Sequence, residues 1–153
     1  MYNDPERTSA IGMARYAFEF LEAARTVDDK IGSQHGYEIV PPIPVLYLAG
    51  HSIELSLKAY LLSRAVTLRD VRQLGHSLHF CFRKAKELGL LDIVQFSGQE
   101  MGAVEILDGL YSTKQLEYIV TGAKHFPIFG PVESFAIKLF NAVAEVVGFD
   151  KRF

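Results

Sequence analysis

Three residues carry the chemistry that can be read directly: His51, Glu54 and Lys58, in the stretch LYLAGHSIELSLKAYLL from Leu46 to Leu62. At about 100° per residue they fall within roughly 60° of one another on a helical wheel. Glu54 and Lys58 form an i,i+4 pair in the favoured order, acid first. The rest of that stretch is apolar almost all the way round, which places it in the middle of a bundle. The structural reading is a buried salt bridge with His51 hydrogen-bonded to Glu54, because buried charges must be paired. The functional reading is a polar pocket in which Lys58 holds an anion such as phosphate. One His and one Glu at this spacing supply only two ligands, so a metal site is not predicted and no cofactor is expected.

Two further groups compete with structural explanations. His76 stands just before a helix start. It either helps Ser77 close the cap or joins Arg72 and the free N–H groups of that helix end in holding a phosphate. Tyr118, Lys124 and His125 lie in a long loop rich in apolar residues, which is either a packed connector or a lid where Tyr118 stacks on a base and Lys124 meets phosphate. Cys81 is placed on an inner helix face and reads as an inert core thiol. The chain contains no Gly-rich phosphate loop, no Gly-x-Ser-x-Gly and no His-Glu-x-x-His.

The elements that must position these residues are helices. Thr8 or Ser9 caps a first helix running to about Lys30. Gly32 to Pro44 is a connector, and the second helix starts near Pro44 and ends around Arg64. A stripe of Ala49, Ser52, Ser56, Ala59 and Ser63 along it lets a neighbouring helix come close. Thr67 caps a short turn of helix ending before Gly75. Ser77 caps a helix to Leu88, with His79, Phe80, Arg83 and Lys84 on its outer face. Ser97-x-x-Glu100 is a capping box for a helix to about Tyr111. After the loop from Ser112 to Pro131, an amphipathic helix from Val132 to Val147 ends at Gly148. These segments predict one all-α bundle of about five helices, with one long loop before the last.

Composition narrows the class. The 153 residues suit one domain, with 49% apolar residues and a net charge of −2. That balance disfavours nucleic-acid binding by overall field but leaves room for a local patch. A single cysteine excludes an internal disulfide and fits a reducing, cytoplasmic setting. No membrane span and no signal peptide are predicted.

Helix two reads Glu54-x-x-x-Lys58-Ala59-x-Leu61. Then come Leu74-Gly75-His76-Ser77-Leu78, and later Leu116-Glu117-Tyr118 and Thr121-Gly122. In order and spacing this resembles the HEPN domains, small helical bundles of prokaryotes and some eukaryotes, across residues 8 to 147. The helix-opening turn of the family usually reads Gly-His-Asp-Leu; here Ser77 replaces the aspartate and keeps an N-cap. The resemblance implies an up-and-down bundle and a nucleotide- or RNA-associated module of a toxin–antitoxin, phage-defence or stress system. It also implies a homodimer and an antitoxin-like protein partner. Ribonuclease members use an Arg-x(4–6)-His motif on a late helix. This chain has no histidine there, and its fit is mid-chain, Arg69 with His76. The leading expectation is therefore a non-catalytic nucleotide- or RNA-binding module using His51, Glu54, Lys58, Arg72, His76, Tyr118 and Lys124. The alternatives are a metal-independent endoribonuclease using Arg69 and His76, and a protein-interaction module in which the polar seam only fixes helix register. The apolar girth of helices one and two, with Phe126, Ile128, Phe129, Phe149 and Phe153, adds an expected two-fold dimer interface.

Overall fold

A computed structural model describes residues 7–119, 122 and 124–153. Among the described residues there are six α-helices and no strand: α1 Ala10–Val27, α2 Ile43–Ser63, α3 Leu68–Gln73, α4 Leu78–Glu87, α5 Gly98–Tyr111 and α6 Phe129–Val147. A π-helical turn, Asp28–Gly32, extends α1, and a 3₁₀ turn, Leu90–Asp92, follows α4. The chain is an all-α bundle. No helix among the described residues is long and apolar enough to cross a membrane.

Local chemistry fixes the helix starts. The side chains of Ser9, Thr67, Ser77 and Ser97 each accept a backbone N–H three residues on. Glu100 closes the capping box by accepting from Ser97 N at 3.1 Å. The same carboxylate takes Lys138 Nζ at 2.6 Å and Ser134 Oγ at 3.2 Å, which ties α5 to α6. One start differs from the sequence reading. The last helix begins at Phe129 rather than Val132, because Gly130 and Pro131 fall within its first turn, where a missing N–H costs no helix bond.

Helix α2 runs through the middle. It packs against α1, α4, α5 and α6, and is buried on nearly every side. The small stripe does what its side chains allow. Ser52 Oγ donates to Ala17 O of α1 at 2.7 Å, a contact that needs the two backbones close together. Ala14, Ala17 and Ala24 supply small buried side chains from α1. On another side Gly50 lets α5 in: a Cβ there would stand 2.7 Å from the Tyr111 ring.

The terminal aromatics are covered within the chain, contrary to the expectation that they add exposed greasy surface. Phe149 and Phe153 join Phe18 and Phe140 in one ring cluster. Asn141 fixes the tail by donating to Phe153 O and accepting from Phe153 N. Phe129 is buried and Phe126 packs against the core, while Ile128 stays exposed. Most of the girth of α2 is likewise covered by its own chain, so neither feature by itself calls for a second copy.

One core atom is left over. Ser56 Oγ is buried and, among the described residues, has no hydrogen-bond partner. A buried hydroxyl without a partner costs about 1–3 kcal/mol. Ser56→Ala should therefore raise the unfolding midpoint in urea at unchanged slope, and a lowered midpoint would show that the hydroxyl has a role in holding α2.

Candidate functional site

The seam on α2 folds into a network centred on one carboxylate. Glu54 is 2% exposed. Its Oε2 accepts from Lys58 Nζ at 2.8 Å and its Oε1 from the Tyr111 hydroxyl at 2.7 Å. The His76 ring reaches both oxygens through Nδ1, at 3.1 and 3.2 Å. His51 does not bond Glu54 directly. Its Nδ1 meets the Tyr111 oxygen at 2.9 Å, so Tyr111 bridges the histidine to the carboxylate.

Three elements bring these groups together. Helix α2 carries His51, Glu54 and Lys58 on one face. Helix α5 ends at Tyr111, whose approach depends on Gly50. The α3–α4 turn carries His76. Its shape depends on Gly75, at φ +62°, a left-handed conformation that glycine adopts without strain. The Gly75 carbonyl accepts from Lys58 Nζ at 2.7 Å, so the ammonium that neutralises Glu54 also pins this turn. Helix α4 begins on its own Ser77 cap, and Asp108 of α5 accepts from Leu78 N at 2.7 Å. An aspartate at this helix start is thus supplied from another helix.

The electrostatics follow from burial and partners. Burial alone would push the Glu54 carboxyl up. Hydrogen bonds from Lys58 and Tyr111, the Lys58 charge and the His76 bond outweigh it and hold the group below its ordinary 4.5, ionised. Burial lowers the His51 imidazole below its ordinary 6.5, against the pull of Glu54. Burial and the Glu54 charge raise Tyr111, which therefore keeps its proton. Burial pushes the Cys81 thiol up to about 12, as an inert core thiol requires.

Above the carboxylate lies a cleft of about 50 Å³ lined by Tyr47, His51, His76, Tyr111, Lys114 and Glu117. Its rim carries an unusual backbone. Lys114 sits at φ +63°, in the left-handed position that ends α5, where Gln115 N returns to Leu110 O at 2.9 Å. Glycine usually fills that position, and a side chain there costs roughly 1–2 kcal/mol.

The sequence-derived candidates separate on this framework. His51, Glu54, Lys58 and His76 meet. Lys58 is 8% exposed and engaged on Glu54 and Gly75, so it holds the carboxylate and the turn and is not open to an anion. Arg69 and Arg72 are exposed on α3. Tyr118 is exposed. Lys124 and His125 line a separate shallow groove along α5 with Glu105 and Gly109. Thr121 lies outside the described residues, as do Val120, Ala123 and residues 1–6. No group of three or more His, Cys, Asp or Glu among the described residues is arranged to hold a metal ion.

Two features escaped the sequence reading. Tyr111 had a signal, since it falls at helical spacing behind the inward Val104 and Leu107, and a core tyrosine needs a partner for its hydroxyl. Lys114 had none, because its interest lies in its backbone angle. The charge asymmetry was legible in part, since Arg83 and Lys84 already mark the outer face of α4 as a basic patch. Residues 64–86 hold Arg64, Arg69, Arg72, Arg83, Lys84 and Lys86 against the single acid Asp70, in a chain that is net −2 overall.

The pH dependence of stability has a definite sign. His51 is lowered in the fold, so between its folded value and 6.5 the unfolded chain binds the extra proton and acid destabilises. Glu54 is lowered too, so its contribution is present above 4.5 and lost as pH falls through its folded value. Unfolding free energy should fall in two stages, below 6.5 and again below 4.5, and His51→Phe should remove the first. A flat profile from 7 to 5 in the unaltered chain would contradict the burial of His51. Comparison of the chain with family models, with curated proteins and with solved structures finds no match.

Proposed function

We propose that this chain is a HEPN-like helical module that binds a nucleotide or RNA over the Glu54 network. One observation carries the reading. The donors that satisfy the buried Glu54 do not end in the core: the His76 ring, and through Tyr111 the His51 ring, carry the network out to a small cleft at the surface. A buried, fully satisfied polar network that reaches the surface is costly to assemble and suits a binding site better than a core. The strained Lys114 at the rim supports the same reading, since backbone strain collects at functional sites. The basic stretch 64–86, which includes His76, supplies the local field that a polyanion needs and the whole chain lacks.

A metal-independent ribonuclease is the second reading, and the Glu54–His76 contact favours it. A carboxylate on Nδ1 leaves Nε2 of the neutral ring as the base. Arg69 is a poorer partner than the sequence spacing implied, because the residue joined to His76 is Glu54.

Titration with ribonucleotides and short single-stranded RNAs, with the RNA analysed afterwards, tests both readings. Saturable binding with intact RNA is expected. Lys114→Gly should raise stability by about 1 kcal/mol, by relieving the left-handed strain, while weakening binding. Absence of saturable binding would overturn the proposal. Cleavage that disappears in His76→Ala would replace it with the ribonuclease reading.

A further inference from the structure

The cleft has a size and a hydrogen-bonding polarity, and both restrict what can enter. A volume of about 50 Å³ holds a few water-sized groups, so a ligand enters it by a polar edge such as a pair of hydroxyls and not as a whole ring. Its polarity follows from counting protons. Glu54 is an ionised carboxylate and only accepts. Tyr111 has one proton, and that proton is directed to Glu54 Oε1 at 2.7 Å. The Tyr111 oxygen must therefore accept from His51, which places a proton on His51 Nδ1. Glu54 accepts from His76 in the same way, which places a proton on His76 Nδ1.

With Nδ1 turned to the network, Nε2 of each ring is left over, and no described residue bonds to it; in the neutral His51 ring it is an acceptor. Two imidazoles held through Nδ1 by one carboxylate, one directly and one by way of Tyr111, line the same small space. Glu117 adds a third acceptor, and Lys114 is the one ammonium at the rim. A phosphate, itself a set of acceptors, matches such a lining poorly. A pair of adjacent hydroxyls matches it well, because each donates one proton to one ring nitrogen.

We infer that the cleft is a ribose pocket, in which Nε2 of His51 and Nε2 of His76 accept from the vicinal hydroxyls of a ribonucleotide while Lys114 stands on the phosphate side. The inference rests on the nucleotide reading above and gives it a specificity: ribonucleotide over deoxyribonucleotide. A ligand without the 2′-hydroxyl leaves one ring nitrogen desolvated and unpaired, the situation in which hydrogen-bonding sites discriminate most strongly. Burial keeps His51 neutral near pH 7, so its Nε2 remains an acceptor there. Tyr111 is a positioning residue in this account, since it touches His51 and Glu54 and sets the tautomer of the first from the charge of the second.

Two measurements decide. In the first, the unliganded protein labelled with ¹⁵N is examined at its histidine side chains at pH 7. His51 should show a protonated Nδ1 and an unprotonated Nε2, and the opposite tautomer overturns the inference without any ligand. In the second, AMP, CMP, GMP and UMP are compared by calorimetry with their 2′-deoxy counterparts and with inorganic phosphate. The ribose forms should bind roughly ten-fold or more tightly than the deoxy forms, and inorganic phosphate should not displace them. Tyr111→Phe, which keeps the ring in place, should shrink the ribose preference, read as the ratio of ribose to deoxyribose affinity. Equal affinity for ribose and deoxyribose forms overturns the inference and spares the nucleotide reading. Binding of neither overturns both.

Discussion

Everything distinctive in this bundle depends on the burial of one charge. A carboxylate at 2% exposure is stable only if its charge is neutralised and its lone pairs are filled. Glu54 meets that demand with Lys58 from its own helix, Tyr111 from α5 and His76 from the α3–α4 turn. Each donor then imposes a condition elsewhere. Tyr111 needs Gly50 to be without a side chain. Lys58 holds the Gly75 carbonyl and with it the left-handed turn that presents His76. Satisfying one buried anion thus fixes the relative placement of three segments of the chain.

The same demand turns a core feature into surface chemistry. A salt bridge alone would end at Lys58. Here the bonds continue outward through two groups with a second polar atom, the His76 ring directly and the His51 ring by way of Tyr111. Because the anion fixes which nitrogen of each ring carries a proton, it also fixes what the cleft can accept. In the proposed pocket the carboxylate would act on a ligand it does not touch, through the placement of the two rings rather than through its field, much of which Lys58 neutralises.

Much of the scaffold was legible in the sequence because it rests on local rules. Ser9, Thr67, Ser77 and Ser97 are caps whose partners lie three residues away, and the Glu54–Lys58 pair is a matter of helical spacing. The small stripe on α2 foretold a close neighbour, and Ser52 on Ala17 O is that contact. Long-range facts were not legible. Tyr111 stands 57 residues from Glu54, and nothing local says that its hydroxyl is directed there. His51 was expected on Glu54, two atoms in reach on one helix, but the tyrosine came between them. The tail aromatics were read as exposed because the Asn141 bonds that fold Phe153 back are invisible without the fold. Lys114 became interesting only through a backbone angle.

The central claim is that Glu54 couples Tyr111 to His76, which lie on different segments and share its Oε1. A double-mutant cycle of Tyr111→Phe and His76→Ala, read by urea unfolding, tests it most directly. The account predicts a coupling of about 0.5–3 kcal/mol, the range for residues in one hydrogen-bond network, that disappears when the cycle is repeated with Glu54→Met and Lys58→Met together, which removes the shared acceptor without leaving an unpaired ammonium. Additive effects with Glu54 intact, or a coupling that survives its replacement, would contradict it.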